Sequence, residues 1–285
     1  MPALIDLRRR IRSVKSTQQI TKAMKMVSAA RLRRAQERMM ASRPFAHKME
    51  EVLISLATRA NPGNHPLLKL KGDQNVELLV VTGDRGLCGS FNANLIKAAL
   101  HFLEARHNYS LSLHLVGRKG YEFFKKRRYV ISNYYLNIFR NLNADHAREI
   151  SDRSIQAYLD GKLDAIYIIY NEFKSMMSQN IVVQRLLPLK KLPEPSPEQM
   201  LDYIYEPDPQ TIFDRLLPLY VQVQIYHALL ESNAAEHAAR MSAMDAATKN
   251  AKEMIEALTL TMNKIRQAAI TKEIIEVVGG AEALS

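Results

Sequence analysis

A glycine-rich loop is where residue type and spacing in this sequence first suggest chemistry. It reads Thr82-Gly83-Asp84-Arg85-Gly86-Leu87-Cys88-Gly89-Ser90 and follows the apolar run Val76-Glu77-Leu78-Leu79-Val80-Val81. Loops of this kind, placed between a strand and a helix, cradle phosphates with backbone N–H groups. The spacing excludes both common versions. A P-loop needs Gly, four residues, then Gly-Lys-Ser/Thr, but the fifth residue after Gly83 is Cys88 and no lysine follows. The dinucleotide fingerprint needs Gly-x-Gly-x-x-Gly, whereas Gly83, Gly86 and Gly89 are spaced by three throughout. The loop therefore reads as a tight strand-to-helix turn whose glycines supply positive φ. Cys88, the only cysteine, has no base at a recognisable spacing and reads as a small buried thiol. It excludes an internal disulfide and points to a reducing compartment. The eight histidines show no metal spacing: His101 and His107 are six apart, His227 and His237 ten apart, with no Cys or carboxylate companion. Carboxylates are scattered, with no acid/base pair across a cleft. No catalytic, cofactor or metal residues are expected.

The charge is concentrated rather than spread. The chain carries a formal +11, and residues 1–60 hold 14 Lys/Arg against 4 Asp/Glu, while residues 208–285 hold 7 against 10. This is a basic arm on an otherwise balanced protein. Arg8, Arg9, Arg10, Arg12, Lys15, Lys22, Lys25, Arg31, Arg33, Arg34 and Arg38 could grip a phosphate backbone. They could equally be steered onto an acidic protein surface. A nucleic-acid binder is the alternative function that this arm leaves open, and a nucleotide-dependent enzyme is a third.

The elements that must position these residues are two long helices and an α/β layer. Between Ala3 and Thr58 the only helix breaker is Pro44, and Leu4, Leu7, Ile11, Val14, then Leu32, Ala35, Met39, and later Met49, Leu53, Leu56 follow a heptad. From Leu219 to Val278 there is neither Gly nor Pro, and the stripe returns in Leu219, Val223, Tyr226, Leu230, Met244, Ala247, Ala251, Met254, Leu258 and Ile265. Such long two-sided rods are expected to wind round each other as an antiparallel left-handed coiled coil. Polar breaks suggest a register: Gln18 opposite Arg240, Thr21 opposite His237 and Lys25 opposite Asn233, pairs whose numbers add to 258. The same register sets Leu4 on Met254, Leu7 on Ala251 and Val14 on Met244, and leaves a lone tip from about Thr259 onward. Between the helices, runs at 76–82, 111–116, 129–135, 165–170 and 181–187 read as strands and 92–106, 119–126 and 145–159 as helices. That alternation predicts a mainly parallel α/β sheet, a Rossmann-like domain inserted between the terminal helices. The division is 1–60, 61–207 and 208–285. No apolar run approaches the ~18 residues of a membrane span, so a soluble chain is expected.

Three stretches carry a family resemblance. Gln19-Ile20-Thr21-Lys22-Ala23-Met24-Lys25-Met26-Val27-Ser28-Ala29-Ala30-Arg31-Leu32, the loop Thr82–Gly89, and Ile270-Thr271-Lys272-Glu273-Ile274-Ile275-Glu276 with Gly279-Gly280-Ala281 resemble the gamma subunit of F-type ATP synthase. The likeness spans essentially the whole chain. It implies a non-catalytic central stalk whose terminal helices stand inside a ring of three alpha and three beta subunits, the C-terminal tip in an apolar sleeve. It implies an α/β foot on the epsilon subunit and the membrane c ring, with proton flow turning ring and stalk together. By resemblance, Met24, Lys25, Arg266, Gln267, Ile270 and Glu273 meet the alpha/beta head, and the Tyr203-Ile204-Tyr205-Glu206-Pro207-Asp208 turn faces the c ring and epsilon through Tyr203, Tyr205, Glu206 and Asp208. Gly83 and Ser90 depart from the usual Ser-Asp-Arg-Gly-Leu-Cys-Gly-Gly loop, a minor change for a turn. The plastid dithiol insertion is missing, so thiol switching is not expected. The implied setting is the cytoplasmic face of a bacterial inner membrane.

Overall fold

The computed structural model describes residues 2–60, 65–176, 178–189 and 206–282. Helix α1 spans Pro2–Ala57. Then follow β1 (Asn75–Val81), α2 (Phe91–Glu104), β2 (Ser110–Val116), α3 (Arg118–Phe124), β3 (Val130–Tyr135), α4 (Ala144–Leu159), β4 (Ala165–Phe173), β5 (Gln179–Leu187) and α5 (Pro209–Glu282). The sheet order is β3-β2-β1-β4-β5. β1 pairs in parallel with β2 and with β4, β2 in parallel with β3, and β5 closes the edge antiparallel to β4. The mainly parallel α/β domain between two long helices is the expected architecture.

Parallel strands are covered on both faces, and the side chains divide accordingly. Val76, Leu78 and Val80 of β1 pack with Leu95, Ala99, Phe102 of α2 and Phe124 of α3. Leu79 and Val81 point the other way, into a core shared with Ile150 and Tyr158 of α4, Met49, Leu53 and Leu56 of α1, and Phe213, Leu217, Val221 and Ile225 of α5. The sheet is thus clamped to the ends of the long helices by one continuous apolar core.

Helix α5 begins ten residues before the expected start. Asp208 caps it, accepting from Thr211 N (3.0 Å) and Thr211 Oγ1 (2.7 Å), and Pro209 at the first helical position gives up an N–H that has no intrahelical partner anyway. Pro218 lies inside the helix without ending it. At the far end, α5 runs through Gly279 to Glu282 rather than stopping at the glycine pair.

The chain forms two compact units. Residues Ala29–Arg240 make one and contain the sheet; Met1–Ser28 with Met241–Ser285 make the other, a helix pair.

Candidate functional site

In the helix pair, the expected register is corrected. Lys25 Nζ lies 2.6 Å from Asp245 Oδ1. Thr248 donates to Thr21 Oγ1 across 2.8 Å, and Thr21 donates on to the Gln18 carbonyl at 3.0 Å. These pairs add to 270 and 269, not 258, so the partner of each α1 residue lies 11 or 12 positions further along α5. Met254, expected under Leu4, is 53% exposed. The physical reason is where the polar groups find partners: Thr21 and Lys25 are answered by Thr248 and Asp245, which are the seam residues that the heptad reading missed. Each sits one position past an apolar seam residue, Met244 or Ala247, and that adjacency was the available signal. Lys25 and Lys249 hold the Asp245 carboxyl below the ordinary range by hydrogen bonding and charge.

The other half of the expected polar layer does different work. Asn233, His237 and Arg240 belong to the sheet-containing unit, where α5 crosses the C-terminal ends of β1 and β4. Arg240 donates from Nε and Nη2 to the Gly86 carbonyl, 3.3 Å each, and pairs with Glu236 one turn back. Its Nη1 lies 3.3 Å from His237 Nδ1. Asn233 is buried. Ser232 Oγ reaches the Val81 carbonyl at 3.5 Å, and Glu231 Oε2 accepts from Phe173 N at 2.9 Å. Burial raises the Glu236 carboxyl against the pull of Arg240.

The glycine loop is built around this helix. A Cβ on Gly83 would stand 2.9 Å from Glu236 Cδ, so glycine is required there by close approach and not by its backbone angle. Positive φ occurs in the loop at Gly89 and, unexpectedly, at Leu87. Asn92 accepts from Gly83 N at 2.8 Å, and Asp84 Oδ1 accepts from Arg118 N (3.0 Å) and Asn137 N (2.9 Å), tying three strand ends together. Cys88 is 2% exposed with Phe91 and Ala235 around it, and burial raises its thiol pKa, the inert thiol of the sequence reading. In an open parallel sheet, ligands enter the crevice beyond the strand C-termini where the strand order reverses. Here that crevice lies between β1 and β4 and is filled by α5 residues 231–236. The buried Glu231 and Glu236 escaped the sequence reading. Their signal was a pair of carboxylates inside an alanine-rich, glycine-free stretch.

The remaining expected residues are scattered. Met24 is half-buried in the helix pair; Arg266, Gln267, Ile270 and Glu273 are exposed on α5. The seam facing α1 continues through the half-buried positions 255, 258, 259, 262, 263 and 269, and every residue from 270 to 279 is exposed. The unpaired tip therefore starts near Ile270, not at Thr259. Glu206 is exposed, Asp208 caps α5, and Tyr203 and Tyr205 lie outside the described residues.

Comparison with known proteins fits this geometry. A family model described as ATP synthase matches residues 3–284. The ATP synthase gamma chain of Chlorobaculum tepidum is 47% identical over 100% of this chain and 99% of the relative, and that of Solibacter usitatus 49% over 99% of each. Among solved structures, a central stalk/c-ring chain of the Tetrahymena thermophila mitochondrial ATP synthase is similar at 27% identity, TM-score 0.61, covering 80% of this chain and 99% of that one. A chain of the Euglena gracilis mitochondrial ATP synthase, at 18% identity and TM-score 0.71 over 99% and 95%, shares the fold. A crevice closed by the chain's own helix, a basic helix pair and a full-length match all lead to one assignment: the chain belongs to the ATP synthase gamma-chain family.

Proposed function

We propose that this chain is the rotating central-stalk subunit of a proton-translocating ATP synthase and has no catalytic site of its own. The observation that carries the reading is the family match from residue 3 to residue 284. The filled crevice supports the second half, because Glu236 and Ser232 occupy the place where this type of sheet takes a ligand. The sheet-bearing unit is the foot, facing a c-subunit ring and an epsilon subunit through Tyr203, Tyr205, Glu206 and Asp208. The helix pair is the shaft within three alpha and three beta subunits, with Met24, Lys25, Arg266, Gln267, Ile270 and Glu273 touching that head. The exposed arginines of α1 meet acidic protein surface through screened attraction. No helix among the described residues is long and apolar enough to cross a membrane. The chain is held at the cytoplasmic face of a bacterial inner membrane by its partners.

Purification from detergent-solubilised membranes tests this. The tagged chain should bring out alpha, beta and epsilon partners with ATP hydrolysis, and a chain that elutes alone sinks the reading. A sharper arm is Met24→Lys, which sets a new cation beside Lys25 and against the head. Hydrolysis should persist while proton pumping per ATP falls; unchanged pumping counts against the contact.

A further inference from the structure

A groove of about 590 Å³ lies on the face of the sheet opposite the long helices, between α2 and α3. Ile96 and Leu100 of α2 and Phe123 of α3 form its floor, and Lys97, Lys119, Lys126 and Arg127 stand around it. Glu122 is the carboxylate in the lining, and Lys119 neutralises it at 3.2 Å. Helix C-termini attract cations, and that accounts for Arg127, which donates to the Phe123 carbonyl at 2.9 Å and lies over the Phe123 ring, 3.4 Å from its centroid. It does not account for Lys97, on a different helix, or for Lys126. Both are exposed and without an ion-pair partner among the described residues.

We infer that this groove docks an acidic amphipathic helix of a partner protein, its apolar face on Ile96, Leu100 and Phe123 and its carboxylates on Lys97, Lys126 and Arg127. Charge complementarity selects the sign of the partner, and the ring-stacked guanidinium of Arg127 keeps its planar fork ready for a carboxylate. The shape selects the class. A lipid headgroup surface cannot follow a concave groove between two helices. A nucleic-acid backbone gains nothing from an aliphatic floor and favours stacking aromatics. An amphipathic helix lying in a groove uses both the floor and the walls.

The probe is a fluorescein-labelled model peptide with leucines at helical spacing on one face and glutamates elsewhere, titrated against the full chain. Zero-length carbodiimide coupling then maps which lysines its carboxylates reach. Coupling should map to Lys97 and Lys126 ahead of Lys15 and Lys22 on α1. The double variant Lys97→Glu/Lys126→Glu should weaken binding several-fold with circular dichroism unchanged, and Leu100→Gln should weaken it with no change of charge. A leucine-free polyglutamate peptide should bind less well than the probe. The inference is overturned if polyglutamate binds equally well, or if the double variant binds the probe unchanged. It is also overturned if phosphatidylglycerol-containing vesicles or duplex DNA, and not the probe, lose affinity in the double variant.

Discussion

His237 shows how one buried side chain makes the foot acid-sensitive. Burial first, then the charges of Arg240 and Arg31, push its pKa down to about 4. The unfolded chain takes up the proton near the ordinary value of ~6.5, the folded chain only near 4. The stability that His237 contributes is complete above that ordinary value and is lost as pH falls toward 4. The shift corresponds to ~3 kcal/mol at most. Urea unfolding of His237→Gln should therefore show a flatter pH dependence across that window than the parent chain; identical slopes would remove His237 as the cause. Glu77 is the second such group. It is buried in β1 with Ser132 Oγ at 2.6 Å, Ser154 Oγ at 3.3 Å and His114 Nδ1 at 3.4 Å. Burial alone would raise its carboxyl, but His114 and the two hydroxyls outweigh burial and hold it below the ordinary range. Its contribution is present at neutral pH and is lost in acid. Glu77→Ala removes the carboxylate beside His114, and chemical unfolding should show a loss of roughly 3 kcal/mol or more.

At the scale of elements, the strands and their connecting helices were legible because alternation, apolar runs and turn residues mark them directly. All five strands fall within a few residues of their expected places. The pairing of α1 with α5 was not legible, and helix geometry explains the particular error. A shift of 11 residues is close to three turns of about 3.6 residues each, so it returns the same face of α5 to the seam and leaves the apolar stripe nearly as well matched. Only the polar side chains could choose between the two registers, and Asn233, His237 and Arg240 misled because their partners lie in the α/β domain. The glycine loop was legible as a turn, but the demand on Gly83 comes from Glu236, more than 150 residues away in sequence. The corrected register makes a direct prediction. Thr21→Cys with Thr248→Cys places two sulfurs where hydroxyls now stand 2.8 Å apart, within reach of a bond of about 2.05 Å. This pair should crosslink under mild oxidation, while Leu7→Cys with Ala251→Cys should not. Gel mobility decides, and the opposite outcome restores the earlier register.

For the whole molecule, the end of the seam near Ala269 separates what folds the chain from what serves its partners. Truncation after Ala269 removes exposed side chains, so the isolated chain should melt at an unchanged temperature. Truncation after Met254 deletes the half-buried positions from 255 to 269 and should lower the midpoint of the helix pair, followed by far-ultraviolet circular dichroism. Equal loss in both would mean that the tip contributes to the fold after all. The same pairing constrains how the molecule is made. The first 28 residues close against residues from 241 onward, which leave the ribosome last. At ~5–20 residues per second, the wait is roughly ten to forty seconds. Throughout that interval the sheet-containing unit can complete its own core, while the arginine-rich start of the chain stays uncovered. Nascent chains stalled after Arg240 should therefore already protect the sheet from protease while residues 2–28 are cut quickly. The first segment synthesised is the last to find its place, and a cell making this protein must shield a basic, half-apolar helix until the final residues arrive.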